Sequence, residues 1–368
     1  MTFNLTAQAG DFSRAIHLAT AVAGSGKMVP ILKACRIVVG KQGGTVSATN
    51  GDHGASISFP ASGKGECFMD MALISAKASL LKPGQDVTVA GDKDGKFVTV
   101  SQGRTRWRVP LVDGDGFPGR MTEAVTAKPV TVDRAALWAA ISAAEACVDA
   151  GDNRIIGRGV YLDSSSGFIA VAASGRALYG RVAGDTPLPV SVVVPNGSIG
   201  AMIGMFRSGA TVDVSVTDQA MSVSADGVLY RTKLIEGTYV NWQAVAEMNR
   251  KGHDGQVTLP RQAAIDMVSR AAAISFVGAK GAQLSVRITI TADEVQALAS
   301  NRDGEEGYDA IPATGDPGTF ALGTDLLLNA LSGLDGSDVT LRYSTKDDGP
   351  VMIGTDDDFR LIMNMRAK

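Results

Sequence analysis

The chain has 368 residues, enough for two or three domains, and 45% hydrophobic with 20% charged residues is the balance of an ordinary globular protein. A formal net charge of −3 excludes bulk attraction to DNA or to an anionic membrane, so any nucleic-acid role requires cations segregated onto one surface. Forty-three glycines against eleven phenylalanines and three tryptophans predict many turns and hence many short strands.

In chain order, the opening "MTFNLTAQAG" lacks a basic-then-apolar leader, and no apolar run reaches the ~18 residues of a membrane span; the expectation is a soluble cytoplasmic protein. "FSRAIHLATAVAG" repeats Phe12, Ala15, Ile16, Ala19 and Val22 at three- and four-residue spacing and predicts an amphipathic helix. It leads into "AVAGSGKMVP" (21–30), where Gly24-Ser25-Gly26-Lys27 imitates a phosphate loop. A phosphate loop needs glycine at its first position, Ser or Thr after the lysine, and a strand upstream. Here Ala21, Met28 and a helix stand in those places, and Pro30 blocks a clean helix downstream. The stretch reads as a glycine turn after a helix, so Lys27 needs another explanation. In "NGDHG" (50–54), Asp52 and His53 are adjacent, and neighbours on a strand point to opposite faces; a turn is the better reading than a catalytic dyad. Cys35, Cys67 and Cys147 lie far apart in apolar or small-residue settings and read as reduced, buried side chains.

The chain then repeats itself. "QDVTVAGDKDGKFVTVSQGRTRWRVPLVDG" (85–114), "ATVDVSVTDQAMSVSADGVLYRTKLIEG" (210–237) and "SDVTLRYSTKDDGPVMIGTDDDFRLIMNM" (337–365) each alternate with period two between Asp/Gly turns, the pattern of a three-stranded antiparallel meander. Each follows a short helical stretch, "LISAKASLLK", "NGSIGAMIGMF" or "TDLLLNALSGL". Ahead of these stand three longer amphipathic helices, "FSRAIHLATAVAG", "RAALWAAISAAEACV" and "RQAAIDMVSRAAAISF", each followed by alternating strands. The unit is a helix plus strands, twice, and three units account for essentially the whole chain, as tandem domains rather than a small solenoid. The fold class is α+β, with domains at 1–122, 128–248 and 254–368 and linkers near 119–129 and 246–255.

The threefold repeat, together with "VPILKACRIVV", "RGVYLDSSSGFIAVAASGRAL", "VVVPNGSIGAM", "RTKLIEGTYVNW" and the tail "RLIMNMR", resembles the beta sliding clamps, the beta subunits of bacterial DNA polymerase III. The resemblance covers nearly all residues. It implies three tandem DNA-clamp domains with antiparallel sheets outside and helices inside, closed as a head-to-tail homodimer into a six-domain ring around double-stranded DNA. Such a ring has no catalytic residue, metal or cofactor; its partners are the DNA polymerase III alpha subunit, the clamp loader and other proteins with clamp-binding motifs, and no membrane.

A clamp must hold DNA without reading it, which calls for sparse cations against phosphates. Arg14, Lys27, Lys77, Lys82, Arg207, Arg261 and Arg270 are the candidates. Asn196, Gly197, Trp138 and Asp266 stand where basic residues are expected, so the lumen should be less positive than in a typical member. The resemblance also implies a cleft for a linear peptide, carried over onto Gly157, Gly175, Arg176, Ala177, Leu178, Val240, Ala244, Val245, Pro350, Leu361, Met363, Asn364, Met365 and Arg366. "SGRAL", "TYVNW" and Asn364 depart from the family's usual runs, which implies an altered choice of partners. Trp107 matches an aromatic position of the ring interface, and Ala273 with Ile274 match the facing helix.

An enzyme is the weaker reading. His17, His53 and His253 are dispersed, and no Cys-x-x-Cys or Gly-x-Ser-x-Gly run occurs. Two non-catalytic readings stand beside the ordinary clamp: a specialised clamp paralogue of a phage or mobile element, and a three-domain binding module that does not encircle DNA.

Overall fold

The computed structural model describes residues 3–165, 167–274, 284–301, 303–346 and 349–365. The elements recur three times in one order, a strand and a helix, further strands, a second helix and a closing meander. The first round is β1 (Asn4–Gln8), α1 (Ala9–Thr20), β2 (Ala34–Gly40), β3 (Gly43–Thr49), β4 (His53–Phe59), β5 (Ser62–Asp70), α2 (Met71–Ala78), β6 (Asp86–Gly91), β7 (Phe97–Gln102) and β8 (Thr105–Pro110). The second is β9 (Val130–Asp133), α3 (Arg134–Glu145), β10 (Gly159–Asp163), β11 (Phe168–Ala173), β12 (Ala177–Gly184), β13 (Val192–Pro195), α4 (Asn196–Met205), β14 (Thr211–Val216), β15 (Ala220–Ala225) and β16 (Val228–Lys233). Helix α5 (Trp242–Gly252) precedes the third: β17 (Gly255–Pro260), α6 (Arg261–Ala271), β18 (Ser285–Ile290), β19 (Glu294–Ser300), β20 (Glu306–Pro312), β21 (Gly318–Gly323), α7 (Thr324–Ser332), β22 (Asp338–Tyr343), β23 (Val351–Gly354) and β24 (Asp358–Ile362). All three meanders and all six helices expected from periodicity form.

Two expectations fail. The segment 246–255, read as a linker, lies mostly in α5, which Asn241 caps by accepting the Ala244 N–H at 3.1 Å and which buries Trp242 and Ala246. Trp138, expected on a helix face turned to DNA, is 6% exposed and belongs to the packed side of α3 with Leu137 and Ile141.

The chain divides into two compact units, Met1–Ala135 with Leu188–Glu236, and Ala136–Pro187 with Gly237–Lys368. Among the described residues the first holds a twelve-stranded antiparallel sheet, in the order β8-β7-β6-β1-β5-β2-β3-β4-β16-β15-β14-β9. The pairing of β4 with β16, Tyr230 opposite Ala55, makes the first meander and the second meander one continuous surface. The hairpin from β15 to β16 turns on Asp226 and Gly227, both at positive φ (47° and 74°), the dihedrals that an Asp-Gly pair adopts most readily. Helix α1 buries Phe12, Ala15, Ile16 and Ala19, and it is tied to α2 by Ser13 donating to the Ala78 carbonyl (2.9 Å) and by His17 against Ser79 (3.0 Å). Asp70 caps α2, accepting from the Ala72 and Leu73 N–H groups. The second unit pairs β10-β11-β12-β24-β23-β22-β17 and, separately, β20-β19-β18-β21.

The glycine turn around Lys27 follows the end of α1 at Thr20 and runs irregularly, with Gly26 at φ 67°, into a one-turn 310 helix at Pro30–Lys33. Lys27 is exposed there, at no strand-to-helix junction. Asn50 organises the "NGDHG" turn by accepting from the Asp52 and His53 N–H groups, both at 2.9 Å. Asp52 pairs with Lys233, whereas His53 is buried against Ser198 and the Tyr230 ring, and burial lowers its pKa. The three cysteines are free and buried; burial pushes the Cys35 thiol to about 12 and Cys147 to about 11.

Candidate peptide groove and edge strands

The groove of the second unit begins as a register. Ala173 of β11 faces Leu178 of β12, Leu178 faces Leu361 of β24, and Leu361 faces Met352 of β23. Cross-strand partners share a face, so four apolar side chains form a row across four strands. Two residues along, Gly180 faces Phe359. A Cβ on Gly180 would lie 2.6 Å from the Phe359 ring, so only glycine lets the ring lie flat across β12. Trp242 then stacks on Phe359, with centroids 6.1 Å apart and planes at 24°, bringing the first turn of α5 onto the sheet. Val171, Leu178, Trp242, Ala246, Met352, Phe359 and Leu361 form one buried cluster beneath it.

Polar groups fix how α5 sits. Asp163, 1% exposed at the end of β10, accepts from Trp242 Nε1 and Gln243 Nε2, both at 2.7 Å, and from the Ser165 amide and hydroxyl at 2.8 and 2.7 Å. Four donors on one buried carboxylate make a well-satisfied lock on the helix start. Just before it, Tyr239 accepts the Ala173 N–H at 2.9 Å through its hydroxyl and stacks on Tyr161 at 4.6 Å, and burial pushes its phenol to about 12. Under the other side, Arg360 is 1% exposed. It donates to Asp358 at 2.5 Å, to the carbonyls of Phe359 (2.9 Å) and Gly180 (3.4 Å), and to that of Gly333 at the end of α7 (3.2 Å).

What remains open is a groove of about 180 Å³. Ala173, Ser174, Gly175, Ala177 and Leu178 make one wall, Val240, Trp242 and Val245 the other, with Leu361 and Met363 between them and Arg154 at the rim. The Arg154 guanidinium is engaged with Asp152 through Nε (3.2 Å) and Nη2 (2.9 Å), and it holds the Asp152 carboxyl below its ordinary range.

Of the residues expected here, Gly175, Ala177, Leu178, Val240, Val245, Leu361 and Met363 converge on the groove. Arg176 is exposed between two of the lining residues, and Ala244 is exposed on the outer flank of α5. Four others go elsewhere. Gly157 is buried against Asp152, and the Pro350 carbonyl binds His253 at 2.8 Å. Asn364 and Met365 are drawn to Ala321 of β21, the first through its side-chain oxygen (2.9 Å) and the second through its amide (2.7 Å). Arg366 lies outside the described residues. Arg154, Ala173, Ser174 and Trp242 escaped the sequence reading. Trp242 carried a signal, as a large aromatic just after an asparagine able to cap a helix.

Among the described residues six strands end the three sheets, β8, β9, β13, β17, β20 and β21, and two of them, β8 and β20, carry or adjoin the residues expected at the ring interface. Trp107 is half-buried on β8, flanked by exposed Arg104, Arg106 and Arg108, of which Arg108 lies 3.7 Å over the Phe97 ring. Strand β20 starts at exposed Glu306, just after exposed Glu305, and carries Tyr308, 59% exposed, and Asp309, which pairs with Arg270. It runs close under the end of α6: a Cβ on Gly307 would lie 2.0 Å from the Ala271 carbonyl and 3.0 Å from the Ile274 side chain. Ala273 is exposed and Ile274 half-buried beside that edge.

The expected DNA-facing cations differ in their freedom. Arg14, Lys27, Lys82 and Arg207 are exposed and Lys77 is half-exposed. Arg261 donates to the Gly336 carbonyl at 2.8 Å, and Arg270 pairs with Asp309 at 2.6 Å, which neutralises it.

No family model matches the chain. The beta sliding clamp of Caulobacter vibrioides is 23% identical over 279 residues, 72% of this chain and 72% of its own length. That of Lactococcus lactis subsp. lactis is 21% identical over 350 residues, 90% of each. The DNA polymerase sliding clamp of Bacillus subtilis superposes with a TM-score of 0.90, over 100% of both chains at 16% identity. The chain has the beta sliding clamp fold. Its sequence is divergent from those clamps, and the clamp fold accounts for the threefold order of elements along the whole length. Among the described residues no helix is long and apolar enough to cross a membrane, and no three His, Cys, Asp or Glu side chains cluster for a metal ion.

Proposed function

We propose that this chain is a DNA sliding clamp, a processivity factor that works by topology rather than catalysis. Three domains, 1–122, 128–248 and 254–368, form each protomer, and two protomers join head to tail into a ring around duplex DNA. The support for the joint is complementarity: a sheet edge at β8 with Trp107 and exposed Arg106, and a sheet edge at β20 with exposed Glu306 beside Ala273 and Ile274. Arg14, Lys27, Lys77, Lys82 and Arg207 meet phosphates transiently, while the engaged Arg261 and Arg270 contribute less. In the cytoplasm, the ring tethers the DNA polymerase III alpha subunit and other proteins with clamp-binding motifs as a non-catalytic subunit of the holoenzyme.

The observation that carries this reading is the apolar groove between the β11–β12 turn and α5 on a full-length clamp fold. An extended peptide with one or two apolar anchors fits such a groove, and an interface of that size exchanges readily. Two grooves per ring add avidity. Fluorescence anisotropy with a labelled clamp-binding peptide from a bacterial polymerase III alpha subunit tests it. Saturable binding is expected, weaker than to an ordinary clamp because "SGRAL" forms one wall of the groove. Val245 is exposed, so Val245→Glu should abolish binding while leaving the solution mass unchanged. Equal binding by that variant removes the groove from the mechanism.

A further inference from the structure

We propose that α5 extends the groove by a second apolar step, so that the preferred partner is a peptide with two separated apolar anchors and a carboxylate between them. The inference rests on the groove being the partner site, and it names what that site selects. Helix α5 has eleven residues, and its buried side is set by Trp242 and Ala246. Turned away from the sheet are Ala244, Val245 (40% exposed) and Met248 (69% exposed). Met248 follows Val245 by three residues and Ala244 by four, so both lie beside it on one stripe. The remaining outward positions carry Glu247 and Lys251, which pair with each other at 2.7 Å, and Arg250, which is paired with Asp356 at 3.4 Å. An apolar stripe on an otherwise charged helix is the kind of exposed surface that marks an interaction site.

Two observations say what covers it. The stripe is continuous with the groove, because Val245 is both a lining residue and the middle of the stripe. The charge at the mouth also has a sign. Arg154, Arg250 and Lys251 are each spent on an acidic neighbour, whereas Arg176, exposed between groove-lining Gly175 and Ala177, makes no ion pair among the described residues. A peptide that crosses from groove to stripe passes that cation, which rewards a carboxylate. The step is rigid because Asp163 and Asn241 both anchor the first turn of α5. A preformed surface costs less ordering on binding than a linker would.

The experiment compares two fluorescein-labelled synthetic nonapeptides by anisotropy. Both carry a Leu-Phe anchor followed by Asp; one has Leu three residues beyond the Asp and the other Ser. The first should bind wild-type protein about fivefold more tightly. Met248→Ser should remove that difference and leave the Ser peptide unaffected, and Arg176→Ser should weaken both while preserving their ratio. Equal affinity of the two peptides for wild-type protein, or an unchanged ratio in Met248→Ser, overturns the second step and leaves the groove standing. Failure of both peptides to bind, or binding indifferent to Val245→Glu, overturns the groove and the step together.

Discussion

The groove and the β8 edge are both made from antiparallel strands, but they treat their open backbone differently. In the groove, β12 is paired on both sides by β11 and β24, and α5 covers the sheet with Trp242 and Ala246. Its polar groups are answered from within the chain, Arg360 by Asp358 and three carbonyls, and Trp242 Nε1 by Asp163. At β8 one side of the strand has no partner among the described residues, and a tryptophan stands there half-buried among arginines. One region is complete in a single copy; the other is the edge that the proposed ring would join to β20 of a second copy.

The sharpest way to break the self-sufficiency of the groove is at Arg360. Replacing it by methionine leaves Asp358 without its nearest cation and three carbonyls short of a donor, so the unfolding free energy should fall by about 3 to 5 kcal/mol. Urea titration followed by tryptophan fluorescence measures this. Adding Asp358→Asn to Arg360→Met should recover part of the loss, and no recovery would mean that the pair is not what holds β24.

The open edge predicts the opposite sensitivity, in assembly rather than folding. Sedimentation of the wild type should give twice 38.1 kDa. Trp107→Ala with Ile274→Ala should weaken the dimer by about a hundredfold, the scale of losing two interface anchors, with unfolding little changed. A wild type that sediments as a monomer ends the ring proposal.

The smallest effect expected is at the lock on α5. Asp163→Ala leaves the buried Trp242 N–H without this acceptor, which should lower stability by about 1 to 3 kcal/mol. It should also loosen α5, so that a clamp-binding peptide loses affinity while dimer mass holds. An Asp163→Ala variant with wild-type peptide affinity would show that α5 keeps its place by apolar packing alone.

Much of the fold was legible because it is local. Period-two alternation and Asp-Gly turns are written in neighbouring residues, and Asp226-Gly227 adopts the dihedrals that its sequence favours. The helix faces of α1 and α6 were likewise readable from three- and four-residue spacing. The misreadings have a common cause. Helix α5 sits in a polar segment whose stability comes from Trp242 stacking on Phe359 and from Asp163, 79 residues away in sequence. Trp138 was placed by resemblance alone at a position where the family carries a basic residue, and its burial on α3 was decided by what that helix packs against.

The site divides in the same way. Leu178, Val245, Leu361 and Met363 could be named from sequence, because the family resemblance points to them. That Met365 and Asn364 turn away to Ala321, and that Arg270 is neutralised by Asp309, depends on strand register and on the path of the chain beyond β24. The sequence by itself determined the repeat and the fold class, since those follow from short-range pattern, while the cleft was legible only through the resemblance. Only the tertiary structure decided which cations are free, which residues line the groove and that the supposed linker is a helix, because each depends on contacts between residues far apart in the chain.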